Sequence, residues 1–169
     1  MAELDIVNLI LADHASFRRD FETLLGLTDE QDPGARWDEL AARLEVHASG
    51  EESVLYPQVL NKVDDAEDDT EHAVKDHNKI RDALRAVGEQ EVATPAWWDA
   101  IRDAQYENND HLDEEERDVL PPFRSEVPDD TRATMGQEWL AFRDEHFGAR
   151  GLSGRDKDPE EYVEAHTPS

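Results

Sequence analysis

The stretch His47-Ala48-Ser49-Gly50-Glu51-Glu52-Ser53-Val54-Leu55-Tyr56-Pro57 returns, rewritten, as His111-Leu112-Asp113-Glu114-Glu115-Glu116-Arg117-Asp118-Val119-Leu120-Pro121. Both copies read His, three residues, Glu-Glu, four residues, Pro. On a helix, residues four apart share a face, with Cβ atoms roughly 5–6 Å apart. His47 and Glu51 therefore reach toward one point, as do His111 and Glu115. A neutral imidazole converging with a carboxylate is a metal-ligand arrangement. A single pair of this kind arises by chance on any polar helix, but two copies with the same double Glu and trailing Pro carry weight.

The repeat extends outward. Asp13-His14 is followed by Phe17-Arg18, and Asp76-His77 by Ile80-Arg81. His14 and His77 are 63 positions apart, and His47 and His111 are 64 apart. The chain thus reads as two similar helical hairpins, each with a lone His on its first helix and His-x-x-x-Glu on its second.

Helical periodicity is expected over about residues 3–26, 36–60, 70–90 and 94–120, with a shorter fifth helix from 128 to about 146. Pro57 is expected to kink the second helix, and Pro121-Pro122 to end the fourth. The resulting fold class is all-α: an up-down-up-down antiparallel four-helix bundle with a shorter C-terminal helix. Residues 1–146 form the domain, and 147–169, with little to bury, form an extended or mobile tail. In antiparallel hairpins, residues equidistant from a turn lie at one level. The midpoints between successive members of His14, His47, His77 and His111 fall near 30, 62 and 94, at the three expected turns. All four histidines are thereby placed on one layer in the middle of the bundle.

Composition narrows the function. A net charge of −26 opposes nucleic acid and anionic membrane as partners. The absence of Cys excludes disulfides, iron–sulfur clusters and thiol chemistry. No apolar run has the length of a membrane span. A cytoplasmic protein, monomeric or weakly dimeric, is expected.

A His on an apolar face is ordinarily a core residue bonded to a neighbour. Four on one layer with two buried carboxylates are different, because each buried ionised carboxylate costs several kcal/mol unless a cation or partner compensates it. The expected metal ligands are His14, His47, Glu51, His77, His111 and Glu115. Six protein ligands exceed a tetrahedral site. With both carboxylates bridging, two six-coordinate ions keep four positions for water, oxide, hydroxide or a small molecule. Such a donor set suits iron or manganese ahead of zinc. A ferritin-like site needs Glu-x-x-His on two helices, and none occurs here.

These residues resemble the hemerythrin-like, or HHE cation-binding, domains, over about residues 4–123. The resemblance rests on His14, His47-x-x-x-Glu51, His77 and His111-x-x-x-Glu115. It implies two iron ions bridged by the two carboxylates and by an oxide or hydroxide, with a pocket for dioxygen, peroxide or nitric oxide. It also implies, if the protein is an enzyme, catalase-like decomposition of peroxide. The alternative is a non-enzymatic iron-binding or iron-sensing module whose metal occupancy controls folding or partner binding. The sequence departs from the oxygen-carrying members, which have His-x-x-x-His on the third helix and His-x-x-x-x-Asp on the fourth. That departure weighs against reversible oxygen carriage and for a more exposed, redox-active iron pair.

Other residues are candidates for the metal or its surroundings. His72 lies five residues before His77, about 140° round the helix, and is either a ligand or a neighbour of the ligands. Glu52 and Glu116 are expected to face solvent or pair with Arg. Arg18 and Arg81 are expected either to reach the ligand carboxylates or to form solvated ion pairs. Tyr56 and Tyr106 line the pocket or simply pack.

Overall fold

The computed structural model describes residues 4–169. Asp5 caps the first helix, α1 (Ile6–Leu25), by accepting a hydrogen bond from the Val7 N–H. A short turn leads to α2 (Pro33–Gly50), where Asp32 caps the Ala35 N–H and Pro33 takes the first helical position, whose N–H needs no partner. The rod continues through a π-helical segment, Glu51–Leu55, into α3 (Tyr56–Lys62). After α4 (Glu67–Gly88), Thr94 caps α5 (Pro95–Glu114) through the Trp97 N–H. A second π-helical segment, Glu115–Val119, then leads into α6 (Leu120–Glu126).

The two π segments fall at the same place in the repeat, each beginning at the first Glu of the pair. In each, an N–H reaches back five residues: Tyr56 to the Glu51 carbonyl, and Leu120 to the Glu115 carbonyl. A proline just beyond explains the slip. Pro57 and Pro121 have no N–H to continue the regular ladder, and a widened turn lets the ladder lose a bond without breaking the rod. The expected helix end at Pro121-Pro122 is therefore corrected, because the chain stays helical to Glu126. Both prolines sit in the first turn of α6, where missing donors cost least.

Contacts between rods run in opposite order, as antiparallel neighbours require. Asp13 meets His47 while Ser16 meets Arg43, and His77 meets His111 while His72 meets Glu114. Two apolar clusters fill the interior. One contains Phe17, Phe21, Leu24, Trp37, Leu44, Trp97 and Ile101. The other contains Ile6, Ile10, Leu55, Val74, Leu120 and Phe123. Burying each such side chain contributes about 1.5–3 kcal/mol. The histidines lie between the two clusters in sequence on every rod: His14 falls between Ile10 and Phe17, and His47 between Leu44 and Leu55.

The fifth expected helix is α7 (Asp129–Glu145), packed on α1, α2 and the first π segment. Gly136 permits a backbone approach there, since a Cβ would stand 1.5 Å from the Leu4 carbonyl oxygen. The expected extended tail is corrected. A 3-10 turn at Phe147–Ala149 precedes a further helix, α8 (Pro159–His166), capped by Asp158. Helix α8 packs on α3 and α4 and buries Tyr162 and Val163. The strand-like run before it is clamped by Asn78, whose amide bonds both the carbonyl (2.6 Å) and the N–H (2.9 Å) of Lys157.

Candidate metal centre

The six expected ligands converge in one buried layer. His14, Glu51, His77, His111 and Glu115 are each at most 2% exposed and His47 is 6% exposed. The Nε2 atoms of all four rings face the two carboxylates. His14 Nε2 lies 3.4 Å from Glu115 Oε1 and 3.8 Å from Glu51 Oε1, and His47 Nε2 lies 2.8 Å from Glu51 Oε1. On the other side, His77 Nε2 lies 2.9 Å from Glu51 Oε2 and 3.1 Å from His111 Nε2. His111 Nε2 lies 3.7 Å from both Glu51 Oε2 and Glu115 Oε2.

These donors fall into two overlapping groups, His14–His47–Glu51–Glu115 and Glu51–His77–His111, each with all donor atoms within 4.8 Å of one another. Donors held at about 2.0–2.2 Å from one ion stand roughly 3–4.4 Å apart, so both groups have the span of a coordination shell. Glu51 turns one oxygen to each group. Glu115 does likewise, with Oε1 toward His14 and Oε2 toward His111.

The polar bookkeeping of the layer supports the fit. His14 Nε2, His47 Nε2, Glu51 Oε1 and Glu115 Oε1 are fully buried yet have no hydrogen-bond partner. His47 Nε2 and Glu51 Oε1 are close but not aligned for a bond. Four orphaned donor and acceptor atoms around one point are rare in a folded interior, and a cation satisfies all of them together.

Three of the four imidazoles are fixed from behind by a hydrogen bond, and the fourth faces a carboxylate. His14 Nδ1–H donates to Glu116 (2.9 Å), His77 Nδ1–H to Glu52 (2.8 Å) and His47 Nδ1–H to Asp13 (3.2 Å). His111 Nδ1 stands 3.7 Å from Asp76 Oδ2. A carboxylate on Nδ1 sets the tautomer that leaves Nε2 free for a metal. The arrangement repeats with the sequence: the second Glu of each pair serves the lone His, and the Asp before each lone His serves the His of the pair. Asp13 and Asp76 were not among the expected site residues, although their signal, Asp-His in both halves, stands in the repeat.

Charge in this layer is held by mutual pairing. Burial opposes charge on His47, but Glu51 and Asp13 outweigh it and raise its pKa to about 9. His111 is raised to about 10 in the same way, by Asp76, Glu51 and Glu115 against its burial. His14 also lies well above the ordinary imidazole value, its burial overcome by Glu115, Glu116 and Glu51. Burial disfavours the Glu51 anion, yet His47, His111 and His14 hold its pKa well below the usual range.

Several expectations are corrected. Of the two alternatives for Glu52 the structure takes the Arg pair and not solvent: it is 3% exposed, and it binds Arg81, His77 and Lys157. The turn angle from His47 was sound, and α4 and the C-terminal segment stand where solvent was the alternative. Arg81 forms no solvated pair, being buried between Glu45 and Glu52. Glu116 pairs with His14 and Arg18 at a half-buried edge, and His14 brings its pKa down to about 2. Tyr56 belongs to the centre, its hydroxyl donating to Glu115 Oε2 at 2.5 Å and lying 3.3 Å from His77 Nε2. Burial and the two carboxylates push that hydroxyl well above its ordinary pKa. Tyr106 faces solvent and lines no part of the centre. His72 is exposed, beside Glu114 and Asp76, and does not enter either central group. The six expected ligands are buried, so the layer is not the more exposed one expected. An open cleft of about 610 Å³ between α2 and α7 borders His47 and Asp13.

The chain is an all-helical bundle with a buried histidine–carboxylate layer that could hold a metal ion. The sequence profile of the hemerythrin HHE cation binding domain matches residues 5–123, and the chain belongs to that family. Comparison with curated proteins and with solved structures returned no match. Among the described residues no helix is long and apolar enough to cross a membrane.

Proposed function

We propose that the protein carries a non-haem di-iron centre of hemerythrin type that binds or reacts with a small oxidant or gas: dioxygen, peroxide or nitric oxide. The observation that carries this reading is the split of the layer into two donor groups with Glu51 shared between them. Two iron ions held by His14, His47, His77, His111 and the bridging Glu51 and Glu115 would supply ferrous–ferric electron transfer and open coordination positions. Imidazole and carboxylate donors also accept manganese or zinc, but two high-coordinate positions favour iron over zinc.

The chain's own residues supply the setting. Asp13, Glu52 and Glu116 fix three of the four rings, and Asp76 faces the fourth, that of His111. The apolar clusters above and below keep the layer in a low dielectric, where its charges act strongly. Tyr56 keeps its proton and offers it between Glu51 and Glu115. The cleft beside His47, with Phe17, Val46, Trp139 and Phe142 in its wall, gives a small neutral molecule an apolar approach. Anaerobic reconstitution with ferrous iron, followed by an optical titration with each of the three molecules, tests this. Ligand-to-metal bands that grow in with one of them support the reading. A loaded protein whose spectrum ignores all three rejects it.

A second reading, an iron-sensing module, is favoured by two contacts of the C-terminal segment: Lys157 binds the Glu52 carboxylate, which orients His77, and Tyr162 binds the Glu52 carbonyl. Metal occupancy then changes how firmly that segment is held. Limited proteolysis of loaded and stripped protein tests it, with faster cleavage near 150–158 expected on stripping. Identical cleavage in both states argues for the first reading alone.

A further inference from the structure

We infer that His72, Asp76 and Glu114 form a third, outer cation site for a borderline divalent ion, on the flank of the buried centre. His72 Nε2 lies 2.9 Å from Glu114 Oε2 and 3.6 Å from Asp76 Oδ2. These spacings match donors that share one ion at about 2.0–2.2 Å. The decisive atom is Asp76 Oδ2. Asp76 is 4% exposed, and this oxygen has no hydrogen-bond partner although it is buried. Lys79 takes only the other oxygen, Oδ1, at 3.0 Å. An unpartnered buried carboxylate oxygen aimed at an exposed imidazole is costly, and a cation between them removes the cost.

The space also fits. A cavity of about 20 Å³ opens beside these three side chains, with Asp69 and Asp118 at its rim and His111 and Glu115 on its inner wall. A single water or ion requires on the order of 10–15 Å³ of such space. Arg117 is turned away onto Asp118 at 2.7 Å; the basic groups beside Asp76 are Lys79, His72 and His111, whose Nδ1 stands 3.7 Å from Oδ2, beyond hydrogen-bond reach. One imidazole with two carboxylates suits Fe²⁺, Mn²⁺, Co²⁺ or Zn²⁺, and not Cu⁺.

Equilibrium dialysis of the full-length chain against Co²⁺, with cobalt counted per chain, tests the site. His72→Ala and Glu114→Gln are each expected to bind one ion fewer than the wild type, or to bind it about tenfold or more weakly. His146→Ala, at a half-buried histidine elsewhere, is expected to match the wild type. Both altered residues lie at the surface, and an unchanged circular dichroism spectrum confirms the fold. The site is overturned if His72→Ala and Glu114→Gln bind as the wild type does, or if His146→Ala loses the same ion. The result is independent of the number of ions in the buried centre, because it reads only a difference from wild type. His14→Ala separates the two: it should lose ions from the centre and keep the outer one, and losing the outer ion instead would count against the site.

Discussion

The two halves of the centre repeat one design but differ in what covers them. In one, Glu116 orients His14 and pairs with Arg18 at an edge that stays half-open to water. In the other, Glu52 orients His77 and pairs with Arg81, but Lys157 and Tyr162 close over it and both members are buried. The same sequence element, the second Glu of His-x-x-x-Glu-Glu, is therefore an edge residue in one copy and a core residue in the other. The difference comes from the C-terminal segment, which has no counterpart on the Arg18 side.

The largest expected effect is that of Glu52→Ala. It leaves Arg81 and the His77 ring buried without their partner, and breaking a buried pair costs about 3–5 kcal/mol. Glu116→Ala should cost less, about 1–2 kcal/mol, because Arg18 regains water and only the buried His14 Nδ1–H is left without its partner. Urea unfolding of both variants reads the contrast directly, and equal losses would break the comparison between the halves.

Deleting the chain after Gly154 should come next. It exposes Glu52 and removes the burial of Tyr162 and Val163, a loss of roughly 2–4 kcal/mol. The truncation should couple to Glu52→Ala, so that the double change costs less than the sum, whereas with Glu116→Ala the effects should add. Additivity in both cycles would show that the segment does not act through Glu52.

The pH dependence of the stripped protein has a definite sign. His47 and His111 are raised to about 9 and about 10, so their contribution is full below the ordinary imidazole value and is lost as pH rises through that window. The urea midpoint should therefore fall from about pH 6.5 to about pH 10. Metal binding needs the neutral rings, so loading at pH 8 should release protons, seen as a buffer-dependent heat in calorimetry. A midpoint that climbs across that range would contradict the pairing in the layer.

The smallest effects sort the tyrosines. Tyr56→Phe removes a hydroxyl shared by Glu51 and Glu115 and should lower stability by about 1–2 kcal/mol. Tyr106→Ala, at an exposed position, should change it by less than about 0.5 kcal/mol. A Tyr106 effect as large as that of Tyr56 would place Tyr106 in the centre after all.

Much of this was legible in the sequence. The spacing of His14, His47, His77 and His111 about three turn regions places them on one layer, and the four-residue step selects Glu51 and Glu115 as the carboxylates facing them. Helix geometry also turns Glu52 and Glu116 away from the ligand face. It does not say what stands on the other side, and that is decided by tertiary packing. Helix α8 escaped the sequence because eight residues with two apolar anchors form no stable helix alone. The surfaces of α3 and α4, the Tyr162 bond to the Glu52 carbonyl and the Asn78–Lys157 clamp hold it. The π segments were visible as a proline after each Glu pair, but a proline alone does not distinguish a kink from a slipped ladder. Asp13 and Asp76 repeat as plainly as the histidines do, and their meaning depends on which ring nitrogen each one meets.

The central claim is that the layer holds two ions sharing Glu51. The metal content per chain of anaerobically loaded protein, after a chelator rinse that clears exposed surface sites, tests it most directly when wild type and Glu51→Ala are measured together. The account predicts two ions in the wild type and at most one in the variant. A single ion in the wild type, kept when Glu51 is removed, would contradict it.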